Sequence, residues 1–146
     1  MPLELLTAIE QSALASALRA SRWVYPLVNA SHILGLALLF GAIVVHDARV
    51  LASRPGEDAP RLPVRIATVG LGTAVLTGFA LASVKATEYA ANPAFRLKLA
   101  LLAVALLNIL FVHRLASTAR HFRLGALVSV VVWVAIIVAG RMIAFV

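Results

Sequence analysis

Two histidines stand fourteen residues apart in the apolar stretch HILGLALLFGAIVVHD, His32 and His46, and a third, His113, lies in a later apolar run. An ionisable side chain in such a segment is costly, so its default reading is a functional group facing the interior of a helix bundle. At about 100° per residue, fourteen residues fall about 40° short of four whole turns, so His32 and His46 share one helix face about 21 Å apart along the axis. Imidazoles so placed are suited to hold haem iron axially at two depths of a membrane.

A haem clamped by two imidazoles needs the second from another helix. Taking residue 38 as the middle of the first span and 106 as the middle of the third, His46 lies about 12 Å and His113 about 10 Å to the same side. These two can face each other across a bundle. A second pair at the same spacing needs a histidine at position 99, which is Leu99. At the level of His32, about 9 Å to the other side, the fourth span offers Met142 and the third begins with Lys98. A His/Met haem is chemically allowed there, and so is a pocket in which His32 serves a quinone or a proton. Arg141, beside Met142, suits haem propionates or a quinone head group as well as lipid phosphate. Without haem, His46, His113, Asp47 and perimeter His121 make a donor set for zinc or copper(II). Otherwise His121, at the connection between the third and fourth helices, reads as solvated or facing head groups.

The elements that must position these groups are apolar helices. Of the 146 residues, 62% are hydrophobic and only 13% charged, with a mean hydropathy of +0.99; soluble domains hold about 45–50% apolar residues. The composition therefore indicates an integral membrane protein. Runs long enough to cross about 30 Å of hydrocarbon occupy approximately 24–50, 64–84, 95–117 and 123–145, bounded by the Arg54-Pro55-Gly56-Glu57-Asp58 loop and the Asn92-Pro93 pair. The expectation is an all-α, up-down-up-down four-helix membrane bundle forming a single domain over 1–146.

Residues 3–18 alternate Leu3, Leu6, Ile9, Leu14 and Leu18 with Glu4, Glu10, Gln11 and Ser12. That periodicity predicts a short amphipathic helix on the membrane surface, and the two glutamates argue against a cleaved signal peptide. The net charge of +7 comes from residues at span ends, where they anchor helices among head groups. It is not a nucleic-acid patch. Arg49, Arg54, Arg61, Arg65, Arg114, Arg120 and Arg123 fall at one set of ends and Arg19, Arg22, Lys85, Arg96, Lys98 and Arg141 at the other. This slight bias places both termini on the periplasmic side of a bacterial inner membrane. With no cysteine, intrachain disulfides, thiolate metal sites and covalently attached haem are excluded. No phosphate-binding loop, nucleophile elbow or metalloprotease histidine pair is present, which leaves hydrolase and ATPase chemistry without support.

Small residues accompany the histidines. Gly35 and Gly41 lie between His32 and His46, and Gly70, Ala74, Thr77 and Gly78 form a stripe on the second span. Such a stripe either admits a flat group or lets helices approach closely. Asn29, three residues before His32, is placed to fix its tautomer. Asn108 sits about 140° around from His113 and belongs to a helix-to-helix contact. Asp47 and Arg49 read as a local ion pair, and Trp23 and Tyr25 as interfacial anchors.

The segments Trp23-Val24-Tyr25-Pro26, His32-x-x-Gly35, Asp47-x-Arg49, Asn92-Pro93-Ala94-Phe95-Arg96-Leu97-Lys98 and Gly140-Arg141-Met142-Ile143-Ala144-Phe145 resemble an uncharacterised bacterial family of small four-helix membrane proteins. More distantly, Phe95-Arg96-Leu97-Lys98 is similar to the membrane part of copper-resistance D-type proteins, and the histidine placement to four-helix membrane cytochromes b. The resemblance implies the fold. The family has no assigned activity, and it is the histidines at matching depth that lead to an expected electron-transfer protein holding haem b, exchanging electrons with a quinone and a redox partner protein. The alternative is a haem-free membrane module: a metal-handling protein, a transporter accessory or a subunit of a larger complex. A homo-oligomer is a further expected partner.

Overall fold

A computed structural model describes residues 3–52, 61–115 and 118–146, with residues 113, 115 and 119 described in their backbone alone. The expected loop at 54–58 lies outside the described residues. Seven helices follow in order: α1 Leu3–Glu10, α2 Ala13–Ala20, α3 Val24–Ala52, α4 Arg61–Ser83, α5 Ala86–Ala91, α6 Pro93–Leu115 and α7 Ala119–Met142. There is no strand among the described residues. α3, α4, α6 and α7 are each long and apolar enough to cross a membrane.

Local chemistry sets the helix ends. Asn92 caps α6, its Oδ1 accepting the Phe95 N–H at 3.1 Å, and Pro93 takes the first helical position, where its missing N–H costs nothing. α6 therefore begins two residues before the apolar run suggests. Thr118 caps α7 by accepting the His121 N–H at 3.4 Å, so this helix starts at 119 rather than 123. Pro63 falls in the first turn of α4, where it is tolerated.

α3 packs most extensively on α4, α6 on α7, and α3 on α7. Leu39, Ile43, Ala105, Trp133 and Ile136 form the common core. Trp133 is thus a core residue, at 2% exposed. The outer faces are apolar as well: Leu76 is 74%, Val131 68% and Leu107 64% exposed. An apolar exterior around a thin core is what a lipid solvent requires of helices whose backbone bonds are internally satisfied.

The α3/α4 contact is a backbone contact. A Cβ added to Gly70 would lie 2.5 Å from the Leu39 nitrogen and 2.8 Å from the Gly35 carbonyl oxygen, and one added to Gly35 would lie 3.0 Å from the Ala74 nitrogen. For Gly70, close helix approach is the reading the geometry supports.

The predicted surface helix over 3–18 is two helices, broken at Gln11 and Ser12. Ser12 caps the second, its Oγ accepting the Ala15 N–H at 3.3 Å, and this capping competes with helix continuation. Leu6, Ala15 and Leu18 are buried where α1 meets α5 and α2 meets α3 and α4. Part of the apolar face thus packs on the protein, while Leu3 and Leu14 stay exposed. Arg19 fastens it by donating to the carbonyl oxygens of Val84, at 3.0 Å, and Glu10. Glu10 Oε1 accepts the Thr87 N–H at 2.9 Å and its hydroxyl at 2.7 Å.

These bonds to Thr87 hold the Glu10 carboxyl below the usual carboxylate range. A depressed carboxyl contributes stability above its unfolded value and loses it as pH falls through the folded value. Docking of the α1–α2 pair should therefore loosen as pH falls below about 4.3, the ordinary glutamate value. Glu10→Gln should reproduce the loosening at pH 7, read as faster hydrogen exchange over 84–91; unchanged protection there would refute it.

Candidate functional site

The two histidines of α3 sit in different environments. Its register carries His46 to a cleft of about 380 Å³ that draws residues from α3, α4, α6 and α7. α4 contributes Pro63, Ala67 and Leu71 and α6 contributes Leu106, Ile109 and Val112, while these two helices share no extensive interface among the described residues. The cleft is the gap between them, floored by α3 and α7. Its walls are almost wholly apolar, with Trp133 and Ile43 from the core at one end.

At the polar end stand His46 and Asp47. His46 Nδ1 faces Asp47 Oδ1 at 3.3 Å, an arrangement in which the carboxylate accepts the Nδ1–H and fixes the tautomer with the Nε2 lone pair free. Asp47 is only 6% exposed, and its other oxygen, Oδ2, is buried without a hydrogen-bond partner. A buried carboxyl oxygen without a donor is expensive. The position gives no packing reason to keep it.

The residues expected to join His46 fare differently. His113 is on α6, directly after Val112 of the cleft wall, but its side chain lies outside the described residues. His121 is bound instead by Thr118, with Nδ1 and Oγ1 3.1 Å apart, and meets the Phe111 ring edge-on at 6.4 Å; it does not line the cleft. Among the described residues no three histidine, aspartate or glutamate side chains cluster as a metal site. Asn108 donates to the Gly125 carbonyl at 3.0 Å, the interhelical contact its register predicts.

His32 lies in a second, larger pocket of about 800 Å³, lined by residues from α3, α4, α5, α6 and α7, Lys98 of α6 among them. Its Nδ1 is 3.0 Å from Thr77 Oγ1. The Thr77 hydroxyl donates to the Thr73 carbonyl at 2.5 Å, so its oxygen accepts from His32, which puts the proton on Nδ1. The ring lies against Gly78, where a Cβ would come within 3.0 Å of its Cε1. Gly78 and Thr77 thus form a seat for an imidazole. Asn29 lines the pocket, but the hydrogen bond that fixes the His32 tautomer comes from Thr77. Met142 is exposed and outside the pocket lining, and Arg141 lies over the Phe145 ring at 5.0 Å. Leu99 is half exposed on α6.

Three contacts are settled only by the packing. Asp47 reads from sequence as a partner for Arg49 or as a donor beside His46, and the packing of α3 shows it buried against His46. Thr77 and Gly78 read as a stripe of small residues, and their imidazole is 45 positions away. Lys98 reads as the start of a span at the level of His32, and its stem, in contact range of Gly140, brings the ammonium into that pocket. Compared with protein-family models, curated proteins and solved structures, the chain matches none.

Proposed function

We propose that this is a multi-pass protein of the bacterial inner membrane, an up-down-up-down bundle that binds a b-type haem through His46 and His113 and passes electrons between a quinol and a partner protein. The observation that carries the reading is the His46–Asp47 pair at the polar end of an apolar cleft. Histidines that ligate metals usually give their second ring nitrogen to a carboxylate or carbonyl, which orients the ring and raises its basicity. His46 meets that condition with Nε2 free, so it would be a donor to haem iron. His113, directly after a wall residue of the same cleft, would be the second residue to hold it.

A haem held by these residues would supply one-electron chemistry. Asp47 holds the His46 proton at Nδ1, and the apolar walls from α4 and α6 keep water away, which are the means by which a protein tunes a bound metal. The slight excess of arginine at the far ends of the helices supports termini on the periplasmic side.

The test is an absorption spectrum of protein from haem-replete cells. Haem bands should be present in the wild type and absent from His46→Ala, with circular dichroism confirming that both are folded. A wild-type preparation that stays colourless on adding haemin defeats the proposal. The haem-free alternative, a metal-handling or accessory module, has one observation in its favour: about 380 Å³ is near the lower end of the roughly 300–1,000 Å³ of ligand pockets. Stoichiometric zinc or copper without iron would select it.

A further inference from the structure

We propose that the pocket around His32 and Lys98 binds the anionic head group of an amphiphile, a phosphate or carboxylate that also carries a hydroxyl. This does not depend on haem in the other cleft. Lys98 lies five residues inside α6, is half-buried, and has its stem laid across Gly140, where an added Cβ would be 3.4 Å from Nζ and 3.6 Å from Cδ and Cε. The side chain therefore lies in van der Waals range of α7 at Gly140. Among the described residues no carboxylate pairs with Lys98. The described side-chain carboxylate lining the pocket, Glu88, is held by Lys85 at 2.8 Å. An ammonium without a counter-ion among apolar helices is costly, and a ligand anion removes that cost through charge-assisted hydrogen bonds.

The rest of the pocket agrees with that occupant. The first residues of α6 line it, so the positive end of a 23-residue helix adds to the field of Lys98. Thr77 fixes the His32 proton on Nδ1 and leaves Nε2 as an acceptor, which takes a hydroxyl hydrogen and would repel a bare anionic oxygen. The two groups therefore ask for different atoms of one head group. Leu81, Phe95 and Ile143 supply apolar wall for the chain that follows it. A glycerol phosphate head group, as in phosphatidylglycerol, has both atoms, and so does a free glycerol phosphate.

The test uses the full chain in neutral detergent, with its thermal unfolding followed while phosphatidylglycerol, phosphatidylcholine or glycerol phosphate is added. Phosphatidylglycerol should raise the midpoint more than phosphatidylcholine at equal mole fraction. Lys98→Gln should weaken that binding roughly tenfold or more, as expected for loss of a charged hydrogen bond, whereas Arg22→Gln, an exposed control, should not. A matching Lys98-dependent response to glycerol phosphate alone would make the soluble anion the source. Lys98→Arg keeps the charge and should retain most of the response, which provides a reading if the glutamine variant does not fold. Equal responses in wild type and Lys98→Gln, or no preference for the anionic lipid, would overturn the proposal.

Discussion

Gly70→Ala should destabilise the protein by about 1–3 kcal/mol, toward the upper end of that range for overpacking, while Gly72→Ala, two residues away, should stabilise it by roughly 0.5–1 kcal/mol. The two substitutions add the same methyl group to the same helix. At Gly70 the new carbon meets backbone: the Leu39 nitrogen at 2.5 Å, the Gly35 oxygen at 2.8 Å and the Leu39 Cα at 2.9 Å. No rotamer relieves contact with main chain, so α3 and α4 must move apart along their extensive interface. At Gly72 nothing lies within 4 Å, so only the helix-propensity gain remains. Unfolding midpoints in a graded denaturing detergent would measure both. Two changes of the same sign would mean that α3 and α4 are not in backbone contact at Gly70.

The four apolar helices were legible because a spanning helix is specified by its length and hydrophobicity, which are local properties. Their ends were less so. The Asn92-Pro93 pair moved the start of α6 back to 93, and Thr118 moved that of α7 back to 119, because a cap acts through the backbone whatever the hydropathy of the first turn. The single helix expected over 3–18 became two because Ser12 caps a new helix. α5, six residues long, is too short for periodicity to reveal.

The site was legible to the extent that one helix determines it. Fourteen residues on α3 place His32 and His46 along one side, and both meet spaces lined by α4. Which atoms meet them depends on other helices. Thr77 and Gly78 reach His32 because Gly35 and Gly70 let α4 approach, and Lys98 reaches the same pocket along α7 at Gly140. A stripe of small residues can be read from sequence as a place of approach; what it approaches cannot. His32 was expected to face either Met142 or a pocket. The structure sets Lys98, and not Met142, in the space it shares.

Asp47→Leu should leave the fold as stable or raise its stability by about 1–3 kcal/mol, the penalty of an unsatisfied buried polar group, while lowering haem affinity roughly 10–100-fold. The stability arm follows from the structure alone. Asp47 Oδ2 is buried without a donor in a cleft whose neighbours include Leu39, Ile43, Val50 and Leu71, so an apolar side chain of similar size removes an uncompensated acceptor and keeps the packing. The affinity arm follows from His46. Without Asp47 Oδ1 at 3.3 Å, Nδ1 loses the acceptor that holds its proton, the neutral ring divides between tautomers, and the fraction offering Nε2 as a lone pair falls. Melting in detergent measures the first and haemin titration by absorbance the second. Stability gained where binding is lost is the signature of a group kept for function at a cost to the fold. A loss of stability in Asp47→Leu would instead make the carboxylate a structural anchor, and unchanged haemin affinity would separate it from the role proposed for His46.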